Sequence, residues 1–185
     1  MGVACPQHIV VAAPGTRATT ARLTVSECGK RVLGPYRVHV GVNGLSAHRR
    51  EGDGTTPLGT FRLGSTLYGI DPNPGVRLPY RRVRCGDWWD EDPESPTYNT
   101  LRHVTCGRAP PFGGASEPLW RSPSAYREFA FIEYNASPAV PGRGSGIFLH
   151  VDRGRPTNGC VSLPRAELLR VLRRLRPGAT ITITA

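Results

Sequence analysis

The sequence predicts a mainly β fold with one clear C-terminal helix and a long irregular insertion. Glycine and proline are abundant, with 22 and 18 copies among 185 residues, and such a composition favours short strands joined by turns. Apolar and polar residues alternate in several short runs, which is the period of a half-buried strand. Only one segment shows the spacing of a helix. The length suits a single domain, which we expect to span residues 1–185.

Strand character is concentrated near the two ends of the chain. Alternation in the first part of the sequence predicts that Val38, Val40 and Val42 share one face of a strand. After the turn-rich GDGTTPLG, an apolar–polar pattern restarts at Phe61. The predicted strands cover residues 8–12, 22–25, 36–42, 61–63, 129–134, 146–151 and 179–184.

The single helix is predicted shortly before the last strand. Its apolar side carries three leucines, Leu168, Leu172 and Leu175. Ser162 or Leu163 is expected to cap the helix, and Pro164 lies in the first turn, where a missing N–H costs nothing. Pro177-Gly178 is expected to end the helix.

The insertion covers about residues 71–124 and shows no sustained period. Its prolines, scattered aromatic residues and enclosed cysteine pair indicate order, so we expect a packed segment lying over one face of the sheet. The acidic run 87–92 stands out in a basic protein. We interpret it as a solvated loop docked on the basic surface, in preference to a metal site.

The net charge of +10 is carried by arginine, because Lys30 is the only lysine. A basic surface attracts polyanions, but the arginines occur as small groups such as Arg49-Arg50 without a nucleic-acid-binding motif. We therefore expect a solvated basic face and no nucleic-acid partner. No run is long and apolar enough to span a membrane, and the opening MGVACPQHIVVAAPG lacks the pattern of an intact signal peptide.

Five cysteines with wide spacing and no C-x-x-C pair favour two disulfides and one free thiol, and hence an oxidising compartment. If Cys160 is the free thiol, three pairings remain open. The most local pairing is the first choice, and the alternatives are five reduced cysteines in a cytosolic protein or a metal site at Cys85, His103 and Cys106. The preferred disulfides are Cys5–Cys28 and Cys85–Cys106.

The segment GSGIFLHVDRGRPTNGCVSLP brings together residues able to perform nucleophilic chemistry. A cysteine thiol needs a nearby base, because only a few per cent is thiolate at neutral pH, and the imidazole of His150 can supply that base for Cys160. Gly159 lets backbone N–H groups converge on one point as an oxyanion hole. A helix beginning just after Cys160 would favour the thiolate. His8, His39, His48 and His103 are interpreted as structural or solvated.

Two motifs resemble the catalytic domain of the L,D-transpeptidase (YkuD-like) family. TNGCVSL is similar to that family's S/T-H-G-C-x-R signature, and GIFLH is similar to its strand ending in a histidine. DGTTPLGTF resembles the T-P-x-G-x-F turn that precedes them. The likeness covers roughly residues 35–185, is nearest to an exported actinobacterial branch, and implies a β-sandwich-like fold.

The resemblance implies a role for each residue that matches the motif. Cys160 would be the nucleophile and His150 the base. Gly159 and Cys160 would donate backbone N–H groups to the oxyanion, and the Val151 carbonyl would orient the imidazole. The resemblance implies no metal and no cofactor.

The sequence also departs from the family pattern. Asn158 stands where the motif has histidine, and Ser162 stands where it has arginine, which removes a carboxylate anchor that Arg153 or Arg155 could replace. The His-to-Cys spacing is also shorter than usual. The residues expected to contact the substrate are Thr157, Asn158, Arg153, Arg155, Trp88 and Tyr98.

The implied function is a cysteine acyltransferase that acts on peptidoglycan stem peptides in the cell wall or a periplasm-like space, as a monomer. It would perform L,D-transpeptidation or L,D-carboxypeptidation through a thioester and would be acylated by carbapenems. The alternative is a catalytically weak wall-binding module that retains the fold. A papain-like peptidase is disfavoured, because such enzymes place the cysteine before the histidine along the chain.

Overall fold

The computed structural model describes residues 5–114 and 116–185. The first four residues, which open the segment inspected for a signal peptide, lie outside the described residues. A short 3-10 turn, Leu119–Arg121, and one α-helix, α1 Arg165–Leu172, accompany the strands within the described part. In chain order the strands are β1 Gln7–Ala12, β2 Thr20–Glu27, β3 Lys30–His39, β4 Leu45–Ser46, β5 Thr56–Pro57, β6 Gly59–Gly69, β7 Tyr80–Arg82, β8 Asp87–Asp90, β9 Thr100–His103, β10 Glu117–Pro118, β11 Phe129–Ile132, β12 Phe148–Val151, β13 Val161–Leu163 and β14 Thr180–Thr184.

The largest sheet has nine strands in the order β11-β12-β13-β3-β2-β1-β14-β6-β7. β11 also pairs with β6, so the sheet curls back on itself. Closure of this kind encloses an apolar interior between facing strands. The predicted mainly β, sandwich-like fold with one helix near the C-terminus is confirmed.

The core follows the alternation seen in the sequence. Ile9 and Val11 of β1 are buried beside Ile181 and Ile183 of β14, which runs parallel to β1. Successive side chains of a strand point to opposite faces, so the polar residues between them face outward. Burying one such side chain stabilises the fold by about 2 kcal/mol.

The third strand is offset from the predicted one. β3 ends at His39, and although Val38 and Val40 are buried, Val42 is 51% exposed. The chain turns at Gly41, where a Cβ would lie 2.4 Å from the carbonyl oxygen of Gly54. The prediction that Val42 shares one strand face with Val38 and Val40 is therefore wrong, because the strand ends before Val42, which lines a cavity instead.

The helix is shorter than expected at both ends. Pro164 is its N-cap residue, and α1 ends at Leu172, before Pro177-Gly178. Ser162 and Leu163 belong to β13, so the prediction that one of them caps the helix is wrong. Leu168 and Leu172 are buried on the helix as predicted, whereas Leu175 is buried beyond its end.

The insertion is more regular than the sequence suggested. β7 joins the large sheet, and β10, β8 and β9 form a separate three-stranded sheet. Trp89 of β8 packs on Phe148 and Phe131 of the large sheet, with ring centroids 5.0 and 4.5 Å apart. The insertion is therefore packed over the sheet, as expected. Its strands escaped detection because two to four residues are too few to reveal a period.

The acidic run 87–92 is not a solvated loop. Asp87 and Asp90 are buried in and at the end of β8. Asp87 pairs with Arg81 and His103, at 2.9 Å each, and Asp90 accepts hydrogen bonds from two neighbouring hydroxyls. These partners satisfy the buried carboxylates, so the interpretation as a docked loop is wrong.

The two predicted disulfides are both present. Cys5 bonds to Cys28 and Cys85 bonds to Cys106, and Cys160 is a free thiol. The second bridge spans the β8–β9 hairpin and removes the thiols that a metal site would need. Both bonds fit an extracytoplasmic location. In the described ranges no helix is long and apolar enough to cross a membrane.

Candidate active site

β12 and the start of β13 bring the predicted nucleophile and base to one cavity. The two strands are parallel, with Leu149 opposite Val161 and His150 opposite Ser162. Cys160 comes directly before β13, and its Sγ atom accepts a hydrogen bond from the N–H of Phe148 at 3.3 Å. The imidazole lies on β12, the thiol lies just before the neighbouring strand β13, and both line one cavity.

The imidazole of His150 has a defined tautomer. Its Nδ1 lies 2.8 Å from the carbonyl oxygen of Val151. A carbonyl can only accept a hydrogen bond, so Nδ1 carries the proton and Nε2 is left with a free lone pair. Burial lowers the pKa of His150 to about 4, so the ring is neutral at pH 7 and able to accept a proton.

The thiol of Cys160 is also neutral. It donates to the carbonyl oxygen of Gly146 at 3.3 Å. Burial raises the pKa of this thiol to about 12, since a thiolate loses its hydration there. The nearby Glu117 carboxyl raises the pKa further, whereas the Phe148 N–H lowers it.

The expected helix effect on Cys160 is wrong. β13 separates the cysteine from α1, which begins at Arg165. The influence of a helix end falls off within one turn, so it does not counter the burial of the sulfur. No hydrogen bond joins Sγ to the His150 ring within the part of the chain that the structure describes. Catalytic hydrogen bonds are often long before substrate binds.

The cavity has a volume of about 760 Å³. It draws residues from distant parts of the chain, since the small sheet, the loop before β5 and the loop after β12 all contribute. Both signs of charge are represented on its walls. The charged lining residues are Arg49, Arg153, Arg155, Glu51, Glu91 and Glu117.

The turn before the cysteine is held by Thr157. Its Oγ1 donates to the carbonyl oxygen of Cys160 at 2.6 Å and accepts the N–H of Gly159 at 3.1 Å. The expectation that Gly159 offers this N–H to an oxyanion is therefore not met, because the threonine hydroxyl already uses it. The N–H of Cys160 remains the candidate donor at this turn.

Four of the six expected substrate contacts line the cavity, namely Thr157, Asn158, Arg153 and Arg155. Trp88 and Tyr98 do not. Trp88 points away from its buried neighbour Trp89, as strand alternation requires, and packs edge-on against Trp120 at 5.2 Å. Tyr98 is buried behind the cavity wall and donates to the carboxylate of Glu51.

Arg49 is the main site residue that sequence reasoning missed. It was grouped with the solvated arginines, but only 5% of it is exposed. Its Nη1 donates to the carbonyl oxygens of Thr55 and Asn158 and forms an ion pair with Asp53. Its Nε has no hydrogen-bond partner among the atoms described. The four-residue spacing between Arg49 and Asp53 could have suggested an ion pair. The same spacing also occurs in exposed ion pairs, so it does not indicate that Arg49 is buried.

Glu91, Glu117 and Tyr126 were also missed. Tyr126 packs edge-on against His150, with ring centroids 5.7 Å apart, and its hydroxyl donates to Glu117 at 2.5 Å. Burial raises the pKa of Glu91 well above its usual range, and the Glu117 and Glu51 carboxyls raise it further. Only the packing of the insertion brings these residues near Cys160. No local sequence pattern therefore predicts that they belong to the site.

Ser162, which stands where the family motif has an arginine, makes a structural hydrogen bond in this protein. Ser162 donates to Asp152 at 3.0 Å, and the same carboxylate oxygen lies 2.9 Å from Nδ1 of His39. Burial raises the pKa of Asp152, but the hydrogen bonds from His39 and Ser162 outweigh it and lower the pKa overall. These three residues tie β3, β13 and the end of β12 together.

A mainly β fold that brings a neutral imidazole and a free thiol into one cavity defines a class of domains with a Cys–His site. The family model for YkuD, the L,D-transpeptidase catalytic domain, matches residues 6–183. The chain therefore belongs to this family. No curated protein matches the sequence.

Several solved structures are similar to this chain. An L,D-transpeptidase (Yku) from Stackebrandtia nassauensis has 16% sequence identity and a TM-score of 0.44, and the match covers 97% of this chain and 56% of that one. An L,D-transpeptidase from Mycobacterium smegmatis has 13% identity and a TM-score of 0.47, and the match covers 98% of this chain and 59% of that one. The helical cell shape determining protein Pgp2 from Campylobacter jejuni has 15% identity and a TM-score of 0.44, and the match covers 96% of this chain and 48% of that one. The chain thus spans roughly half of the length of these proteins.

Proposed function

We propose that this protein is a cysteine acyltransferase that acts on peptidoglycan stem peptides, with Cys160 as nucleophile and His150 as base. The observation that carries the proposal is the shared cavity, into which both the Cys160 thiol and an imidazole with a defined tautomer open. Membership of the L,D-transpeptidase family supports the choice of substrate.

In the first step both groups start neutral, as their shifted pKa values require. Sγ forms a bond to the carbonyl carbon of the L-centre, and its proton moves to Nε2 of His150. The Val151 carbonyl stabilises the imidazolium through Nδ1–H. The oxyanion faces the N–H of Cys160. Collapse releases the terminal D-amino acid, whose amine takes the proton from His150.

In the second step an amine or a water molecule attacks the thioester. The attacking group gives a proton to His150, the C–S bond breaks, and the thiolate of Cys160 recovers that proton. An amine on a neighbouring stem gives a 3→3 cross-link, and water gives carboxypeptidase activity. The small sheet contributes Glu91 and Glu117 to the cavity wall, so the insertion is placed to exclude water from the thioester.

The cationic part of the cavity supports a role in binding the stem peptide. Arg153 and Arg155 lie on the loop between the base and the nucleophile, and both line the cavity. They are the proposed partners for a substrate carboxylate, in place of the arginine that Ser162 replaces. Thr157 and Asn158 complete this wall. The protein would act outside the cytoplasm, a location that the two disulfides favour, and we propose that it acts there as a monomer.

The decisive experiment is intact-mass analysis after incubation with a stem tetrapeptide or a carbapenem. We expect a covalent adduct on the wild type and none on Cys160→Ser. His150→Gln should slow adduct formation by about 10²-fold or more, whereas His48→Gln, which changes an exposed histidine, should leave it unchanged. An adduct that persists on Cys160→Ser would disprove the assignment of the nucleophile.

A second function, a catalytically weak wall-binding module, is favoured by Asn158 and Ser162, which depart from the family motif. Such a module would bind purified peptidoglycan without forming an adduct with either reagent. Binding that is retained in Cys160→Ser, together with an unmodified wild type, would select this function.

A further inference from the structure

One carboxyl beside the nucleophile has no role in the mechanism given above. Glu91 lies at the end of β8 and lines the cavity that holds Cys160. Its neighbours Glu51 and Glu117 are hydrogen-bonded, to Tyr98 and Ser145 and to Tyr126 respectively. The side chain of Glu91 has no hydrogen-bond partner in the described segments. Glu91 is only partly exposed, and a carboxylate that is partly withdrawn from water gains from a positive partner in the cavity.

The fold makes room for this carboxyl next to the thiol. Oε1 of Glu91 approaches Gly146 so closely that a Cβ there would lie 1.8 Å away. The carbonyl of the same glycine accepts the S–H of Cys160. Glu91 and Cys160 therefore both contact Gly146, and a side chain at this position would displace the Glu91 carboxyl.

The charges around Glu91 favour a cation at this place. The groups that act on it electrostatically or lie against it are Glu51, Asp90, Glu117, Tyr126, Cys160 and Arg49. Arg49 is the only cation of this set, and its Nη1 is already bonded to Asp53 and two backbone carbonyls. Carboxyls crowded into one cavity disfavour each other's ionisation unless a positive partner lies among them.

We propose that Glu91 binds the ammonium group of the acyl acceptor beside the thioester and removes its proton. This proposal rests on the acyltransferase function proposed above. An amine attacks a thioester only in its neutral form, whereas the acyl acceptor is an ammonium ion near neutral pH and must first lose a proton. The Glu91 carboxylate takes that proton, the neutral amine attacks the thioester carbon, and its second proton goes to His150 and then to the departing thiolate. Glu91 finally returns its proton to solvent.

The site can be probed without any turnover by labelling Cys160. The full-length protein would be treated with 2-aminoethyl methanethiosulfonate, a cation, and with methyl methanethiosulfonate, which is neutral. Each reagent forms a mixed disulfide with the free thiol and releases methanesulfinate. The ratio of the two rates cancels the reactivity of the thiol itself and reports the charge beside it.

We expect the cation-to-neutral rate ratio to fall about tenfold or more in Glu91→Gln, because a carboxylate a few ångströms from the incoming ammonium is removed. In the wild type the ratio should rise with pH as Glu91 ionises, and in Glu91→Gln this rise should vanish. Glu94→Gln, the same change at an exposed position of the same segment, should match the wild type. Equal ratios in wild type and Glu91→Gln would overturn the proposal.

A second measurement follows the acyl-enzyme. With a stem tetrapeptide as donor, the share captured by an amine rather than by water should drop about tenfold in Glu91→Gln at pH 7 and recover at a pH where the amine is neutral in solution. Offering the amine on a stem peptide or as a free D-amino acid separates the two sources of the ammonium. An unchanged share would count against Glu91 as the proton acceptor.

These outcomes separate the two proposals. If the tetrapeptide never acylates the wild type, the acyltransferase function fails, and the labelling ratio still decides whether Glu91 forms an ammonium site. Glu91→Asp keeps the negative charge but moves it farther from Cys160, because the side chain is shorter. We therefore expect its cation-to-neutral rate ratio to lie between those of the wild type and Glu91→Gln. Thermal unfolding of each variant shows whether the fold is intact, and Glu91→Asp replaces Glu91→Gln in the comparison if the latter is unfolded.

Discussion

Gly159 and Arg49 are packed so closely that the backbone beside the nucleophile tolerates no side chain. A Cβ on Gly159 would lie 2.5 Å from Nη1 of Arg49 and 2.7 Å from the carbonyl oxygen of Thr55. Gly159 also has a φ of +135°, which L side chains rarely adopt. The turn that presents Cys160 therefore depends on a glycine for steric and conformational reasons together.

Gly159→Ala should lower the rate of Cys160 acylation by about 10²-fold, the usual effect of losing one oxyanion donor, because the turn and the Cys160 N–H are displaced. Intact-mass kinetics with a carbapenem would measure the rate. Gly154→Ala, in a turn of the same loop with nothing within 4 Å of its Cβ, is the control for positive φ. Equal rates in both variants would contradict the packing argument.

Arg49→Met should lower the free energy of unfolding by about 3 kcal/mol, since it leaves Asp53 and two backbone carbonyls without their buried partner. Urea titration would measure the loss. Arg50→Met, at the exposed neighbouring position, should change stability by less than about 0.5 kcal/mol. Similar losses in both variants would show that Arg49 is not the buried partner described here.

The free energy of unfolding should decrease as the pH is lowered from 6.5 to 4, because His150 is harder to protonate in the folded protein than in the unfolded chain. The folded pKa of this residue is depressed to about 4 from 6.5, so the unfolded chain binds the proton more readily in this window, and acid favours unfolding. The contribution is about 3 kcal/mol. The difference between wild type and His150→Gln, measured by urea titration at each pH, isolates it. Parallel pH profiles for the two proteins would refute the shift.

Alkylation of Cys160 by iodoacetamide should be slow at neutral pH and should rise about tenfold per pH unit from 7 to 9, because the thiolate fraction grows in this way below a raised pKa. Mass spectrometry after timed quenching would give the rate. The alkylation rate of free cysteine, measured in parallel, should stop rising once the pH passes the pKa of its thiol, which is lower than that of Cys160. A plateau near neutrality in the protein would indicate a thiolate–imidazolium pair instead of two neutral groups.

Removing the Cys85–Cys106 bridge should cost about 3 kcal/mol of stability on the chain-entropy view, because it closes a loop of about 20 residues. The double variant Cys85→Ser/Cys106→Ser would be compared with wild type by urea titration. Cys160→Ser serves as the control, since that thiol is free. A double variant as stable as the control would contradict this account.

The fold class and the central residues could be predicted from local signals. A short β-branched run marked β1, and alternation marked β2 and β14, because a half-buried strand needs one apolar face. The same rule failed for β7 to β10, whose two to four residues leave no period to detect. The count and spacing of the cysteines left three pairings open once Cys160 was set aside as free, and the most local pairing, which was the first choice, is the one present.

The sequence alone put Cys160 and His150 forward as a Cys–His pair, because they stand ten positions apart in one segment that also carries a turn glycine. Tertiary structure decided the rest of the cavity. Arg49, Glu91 and Glu117 come from the loop before β5 and from the insertion, and only long-range packing brings them to the cavity that holds the sulfur. Burial also set the protonation states, because desolvation, which no local pattern encodes, leaves both the thiol and the imidazole neutral.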